Sequence, residues 1–265
     1  MLTADQTRAY LDRIGIEGAP EPTRAALDEL VRRHQMSVPF ETVGLHRSGA
    51  TPELGLDQLF DKVVAQRRGG YCFELNKLFH ALLRALGFDA RPCLCRAVRG
   101  REGRMPINHR GTIVTLDEGL LSADVGFGGP MPAGAILLAS GDDQVIAGEA
   151  YAAAPGDHSW WRIERITQAG ADLYDDEVPV RRQVELELCS AAVEEVDFDA
   201  LNRFFSQPGT LFREHEIVNL RTPGGYLGLK DAVLTIREGG QKTVVELAGA
   251  RAVDDALRER FGLAY

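Results

Sequence analysis

The sequence predicts an α+β chain in three consecutive parts, and three observations carry that prediction. Apolar residues recur at helical spacing through the first third. The middle third changes to short alternating or β-branched runs separated by glycines and charges, the pattern of antiparallel strands. The last third mixes the two periods. The expected parts are a helical bundle over 1–87, an antiparallel β-barrel over 88–190 and an α/β unit over 191–265.

Residues 3–15 and 22–36 read as helices; in the second, Ala26, Leu27, Leu30 and Val31 share one face. Pro39 ends it, because proline forces its predecessor out of the α region. A short amphipathic helix is expected over 55–66, ending at Arg67-Arg68-Gly69-Gly70. From Cys72, the stripe Leu75, Leu78, Phe79, Leu82, Leu83 and Leu86 predicts a strong helix stopped by Gly87. ARPCLCRAV, GTIVTL, GLLSADVGF, WWRIERI and VELELC are then expected as strands. A helix near 198–206, strands near 214–221, 232–237 and 242–247, and a helix over 252–260 complete the reading.

The 265 residues are 45% hydrophobic, enough for a sizeable core without disulfides or metals. A formal charge of −9 argues against a nucleic-acid partner, which calls for a basic excess. No apolar run approaches the ~18 residues needed to cross a bilayer, and the N-terminus lacks signal-peptide features. The expectation is a cytoplasmic protein with no membrane association. Of the four cysteines, Cys93, Cys95 and Cys189 read as small buried hydrophobes. Cys93-x-Cys95 has no second pair or histidine at finger spacing, so no metal site is expected.

Cys72 differs through its neighbours. Gly69 and Gly70 allow a tight entry into the helix, and the cysteine falls in its first turn, where unpaired amides and the helix dipole favour negative charge. A nucleophilic cysteine needs a base, and the base an orienting group. His80 lies on the same helix, two turns on, too far along the axis. His109 opens the run HRGTIVTL, and Asp124 ends the next run, after the turn at Asp117-Glu118-Gly119. With Leu116 opposite Gly119, Gly111 faces Asp124, and His109 lies diagonal to Asp124 on the same face. An odd loop would place the two on opposite faces. Singly, each of the three residues has an ordinary packing reading; together they are the parts of a thiol triad.

At this point the sequence resembles the arylamine N-acetyltransferases. The resemblance rests on RGGYCFELN at 68–76, His109 and DVGFGGPMP at 124–132, with YLDRIG at 10–15, VPFE at 38–41 and SQPGTLF at 206–212 in support. It implies a helical bundle, a β-barrel and an α/β lid, with a cysteine-protease-like core between the first two. It implies Cys72 as nucleophile, His109 as base and Asp124 as orienter. It further implies acetyl-CoA or another acyl thioester as co-substrate, no permanently bound cofactor, and an aromatic amine, hydrazine or N-hydroxyarylamine as acceptor. Phe127 would line the acceptor pocket, Tyr71 and Phe73 would flank the nucleophile, and Gly126, Gly128 and Gly129 would let backbone approach the donor arm.

Two segments depart from the family pattern: Thr42 follows PFE where asparagine is usual, and LNRFF precedes SQPGTLF without the usual Trp-Tyr and Thr. A diverged branch, the amide synthases, closes macrolactams from a thioester on an acyl carrier protein and would use the same triad. Papain- and transglutaminase-type hydrolases also order Cys, His and Asp this way. Arg96, Arg99, Arg101, Arg104 and Arg110 crowd the segment around His109, and read either as a solvated loop or as a local positive patch for an anionic donor or carrier protein.

Overall fold

Thr3 opens the first helix in the computed structural model, which describes residues 1–139, 141–167 and 181–265. Its hydroxyl accepts the Gln6 amide and the Gln6 side chain accepts the Thr3 N–H, capping α1 (Ala4–Arg13). Thr23 caps α2 (Arg24–Ser37), which ends ahead of Pro39 as expected. After β1 (Phe40–Glu41) and α3 (Val43–Ser48), α4 (Leu56–Phe60) runs directly into a π turn over Asp61–Ala65. The following helix, α5 (Cys72–Ala85), buries Leu75, Leu78, Phe79, Leu82 and Leu83 completely. Gly87 then takes φ +87°, a conformation open to glycine, and stops it.

Eight antiparallel strands follow: β2 (Asp89–Ala97), β3 (His109–Leu116), β4 (Gly119–Ala123), β5 (Ile136–Leu137), β6 (Gln144–Ile146), β7 (Glu149–Pro155), β8 (Trp160–Thr167) and β9 (Arg181–Cys189). Their order is β5-β4-β3-β2-β9-β8-β7-β6. The two edges meet through Gln144, whose carboxamide accepts the Leu137 N–H at 2.8 Å and donates to the Leu137 carbonyl at 2.9 Å. The sheet is thereby a nearly closed barrel around Cys93, Cys95, Ile113, Tyr151, Ile163 and Leu186. Strands β5, β6 and β7 were not expected. The first two are too short to show a period, and the alanines of β7 favour helix locally but pair with β8 along the whole strand.

The remaining elements are α6 (Asp197–Phe205), α7 (Leu211–Glu214), β10 (Ile217–Thr222), β11 (Gly225–Lys230), β12 (Val233–Glu238), β13 (Gln241–Glu246) and α8 (Gly249–Phe261). Strand β11 also escaped the sequence reading, because Gly225 and Gly228 break its apolar pattern. Gly225 is required there, since a Cβ would sit 2.1 Å from the Arg237 carbonyl oxygen. The sheet order is β1-β10-β11-β12-β13, so a strand from the first third of the chain joins a sheet otherwise built from the last third. Thr42 serves that junction: its hydroxyl donates to the His215 carbonyl at 3.0 Å and accepts the Ile217 N–H at 2.9 Å. Among the described residues no helix is long and apolar enough to cross a membrane.

Candidate active site

The loop before Cys72 lies directly on β1. The Glu41 N–H donates to the Gly70 carbonyl at 2.9 Å, and a Cβ on Gly69 would stand 2.2 Å from the Pro39 carbonyl oxygen. Only a glycine permits that approach. Cys72 occupies the first position of α5, so its own amide and that of Phe73 have no acceptor within the helix. Below the loop, Glu74 accepts the Tyr71 N–H at 3.1 Å and pairs with Lys62 at 2.8 Å. Lys62 reaches Glu41 at 3.5 Å, and Arg68 stands 4.0 Å from the same carboxylate. Burial opposes the charge on Lys62, but Glu74 and Glu41 outweigh it and raise its pKa. Burial dominates at Glu74 and raises its carboxyl, against the pull of Lys62.

The histidine comes from the barrel. Strand β3 pairs with β4 through Leu116↔Gly119 and Thr112↔Ala123, the register expected from the turn. His109, the first residue of β3, thus meets Asp124, just beyond β4, with Nε2 2.5 Å from Oδ2. Both are buried. Burial would lower the His109 pKa, yet Asp124 and Cys72, through charge and hydrogen bonds, raise it to about 10. Burial pushes Asp124 up, but His109, Asn76 and the Gly126 N–H together bring it below its ordinary value. A Cβ on Gly126 would lie 2.9 Å from the Cys72 Cα, so this glycine lets the barrel close on Cys72.

Asn76 is the residue whose role the sequence reading missed. Its Nδ2 donates to Asp124 Oδ1 at 2.9 Å and to the Arg110 carbonyl at 2.5 Å, and its Oδ1 accepts the Val125 N–H at 3.0 Å. One carboxamide therefore ties α5 to β3 and to the segment after β4. Its position four residues after Cys72, on the same helix face, was the available signal.

The other expected site residues separate into two groups. Phe127 stands edge-on to His109, centroids 5.6 Å apart, and Arg99 covers its outer side with its guanidinium 4.5 Å from the ring centre. Phe127, Gly128 and Gly129 line an open cleft together with Phe40, Val125 and Tyr226. Tyr71 and Phe73 instead pack inward. The Tyr71 hydroxyl donates to the Asn202 carboxamide oxygen, its ring meets Phe212 edge-on, and Phe73 stacks on Phe205. The divergent LNRFF segment thus packs against the start of the nucleophile helix.

The positive-patch reading of the arginines is corrected by the structure. Arg110 is fully buried and bidentate to Glu195 at 2.8 and 2.7 Å; Arg96 pairs with Glu187 at 3.0 Å and lies over Trp160. Arg99 donates to the Phe127 and Gly128 carbonyls, and Arg104 pairs with Asp157 at 3.7 Å. Four of the five arginines are thus taken up by carboxylates, backbone carbonyls or burial, and Arg99, Arg101 and Arg104 lie in the loop between β2 and β3. Cys93 and Cys95 are buried with their sulfurs 3.6 Å apart, Cys189 is half-buried, and all three are free thiols. His80 contacts Glu195 and the Ala90 carbonyl, away from Cys72, and His34 is bonded to Tyr10.

A thiol at a helix start, an imidazole beside it and a buried carboxylate on the far ring nitrogen form the geometry of Cys-His-Asp acyl-transfer enzymes. A family model described as N-acetyltransferase matches residues 23–265. The arylamine N-acetyltransferase of Mycobacterium tuberculosis is 30% identical over 260 residues, covering 96% of this chain and 88% of that one. That of Escherichia coli is 31% identical over 267 residues, covering 96% and 87%. The structure of Mycobacterium marinum arylamine N-acetyltransferase in complex with CoA superimposes with a TM-score of 0.86 at 27% identity, covering 97% of this chain and 92% of that one. The chain belongs to the arylamine N-acetyltransferase family and is an acyltransferase.

Proposed function

We propose that this enzyme carries an acetyl group from acetyl-CoA through a Cys72 thioester to an aromatic amine, hydrazine or N-hydroxyarylamine. The observation that carries the reading is the buried His109–Asp124 pair at 2.5 Å, on a segment whose Gly126 packs against the Cys72 Cα at the start of α5. The CoA complex of the Mycobacterium marinum relative supports the choice of donor. His109 takes the Cys72 proton as the sulfur attacks the thioester carbonyl. The first-turn amides of α5, that of Cys72 included, face the developing oxyanion. The carbon–sulfur bond to the donor breaks, His109 returns the proton to the departing thiol, and Cys72 holds the acyl group. The amine then attacks the acyl-cysteine, and its proton passes by way of His109 to the Cys72 sulfur as the amide leaves. Asp124 orients the ring and stabilises its charged form throughout. Phe127 and Phe40 offer aromatic surface to a flat acceptor in the cleft.

Intact-mass measurement after mixing with acetyl-CoA tests this. Wild type should gain one acetyl group, lose it on addition of an arylamine with formation of the amide, and Cys72→Ala should gain none. Labelling of Cys72 only by a longer acyl thioester on a carrier protein would move the assignment to the macrolactam-forming branch. Discharge to water alone, with the amine ignored, would mark a hydrolase.

A further inference from the structure

We propose that strand β13 pairs edge to edge with β13 of a second copy of this chain, antiparallel about a two-fold axis at Val244. Strand β13 ends the C-terminal sheet, and all six of its residues are exposed. Val244 is 56% exposed, beside Val233 at 41%, although β-branched apolar residues at a sheet edge favour a covered surface. Among the described residues no strand pairs with its outer side.

The backbone parity of this edge follows from its hairpin. Gly239 and Gly240, both at positive φ, form the turn that sets Glu238 opposite Gln241, and the Leu247 N–H donates to the Ala232 carbonyl. Odd-numbered residues of β13 therefore turn their N–H and C=O toward β12, while Lys242, Val244 and Glu246 turn theirs outward. A two-fold axis at Val244 sets these three outward residues against the same three of the second copy. Val244 faces Val244, and Lys242 faces Glu246 at both ends.

Other centres lose one of these matches. An axis at Lys242 or Glu246 opposes like charges. An axis at Thr243 sets Glu246 against Gly240 in the turn, and one at Val245 sets Lys242 against Ala248 beyond the strand. The side-chain faces agree with the central register. Leu234 and Ile236 point to the core shared with Leu257 and Phe261 of α8, so their partners Val245 and Thr243 lie on that face. Lys242, Val244 and Glu246 share the opposite face, where the two copies of Val244 abut and opposite charges flank them. The strand is complementary to itself, and for that reason a second copy fits it better than an unrelated extended peptide does.

Sedimentation velocity over a concentration series up to ~100 µM tests the pairing, since short edge contacts of this kind associate weakly. The expected mass climbs with concentration from 29.0 kDa toward twice that value. Lys242→Glu and Glu246→Lys should each abolish the climb by opposing like charges, and the two combined should restore it. Val244→Pro should abolish it while keeping the wild-type circular dichroism and melting profile, because it removes only an outward N–H. Wild type that stays monomeric throughout, single charge variants that associate like wild type, or a well-folded double variant that fails to recover would each overturn the proposal.

Discussion

The two sides of the active site are held in different ways. The base side rests on backbone pairing: the β3–β4 register sets His109 diagonal to Asp124, and one carboxamide, Asn76, completes it. The nucleophile side rests on side chains from distant parts of the chain. Glu41, Lys62, Arg68 and Glu74 support the loop from below, while Asn202, Phe205 and Phe212 pack against Tyr71 and Phe73. The difference teaches that a geometry set by a local hairpin needs few supporting residues, whereas a tightly packed loop onto a helix start draws on several elements.

The largest expected effect tests the base side. Asp124→Asn should leave the fold nearly unchanged but slow Cys72 acylation by about 10⁴-fold, because the imidazole loses its orienting charge. Rapid-mixing measurement of thiol release from acetyl-CoA reads this; a loss below tenfold would mean that Asp124 only packs. On the nucleophile side, Lys62→Met leaves Glu74 and Glu41 buried without their shared cation. Urea unfolding should then show a loss of about 3–5 kcal/mol. A neutral result would mean that the loop does not depend on the charged support.

Asn76→Ala joins the two sides and should have an intermediate effect. It leaves the Val125 N–H and the Arg110 carbonyl without their described partner, a cost of about 1–3 kcal/mol in unfolding free energy. The smallest effect is the pH dependence of the His109–Asp124 pair. The His109 pKa rises from 6.5 to about 10, so its stabilisation is complete below pH 6.5 and fades as pH rises through about 10. Asp124 is shifted the other way from 3.8, so its stabilisation holds above that pH and is lost as pH falls below it. The melting-temperature gap between wild type and Asp124→Asn should accordingly be widest near pH 5–6 and narrow toward pH 10. A gap that is constant across that range would assign the proton elsewhere.

Legibility in the sequence follows the same division. The Cys72 helix, the hairpin register and the meeting of His109 with Asp124 depend on periodicity and turn length, which are local properties. The capture of β1 by the C-terminal sheet depends on residues about 180 positions apart, and no local pattern encodes it. The resemblance put Tyr71 and Phe73 beside Cys72 as site residues, whereas the folded position of α6 and α7 makes them packing residues. The arginine cluster looked like a surface patch because one-dimensional closeness says nothing about the distant partners, Glu187, Asp157 and Glu195, that the folded chain brings to it.

By itself the sequence determined the α+β class, the place of the thiol at a helix start and the pairing that brings the imidazole to the carboxylate. Short-range propensity and side-chain period are sufficient for each of these. Only the tertiary structure decided that Asn76 links α5, β3 and the segment after β4, that Gly126 brings the barrel against Cys72, and that β13 is left as an open edge. Those outcomes depend on which surfaces meet once the chain has closed, and such meetings follow from long-range packing rather than from any neighbouring residue.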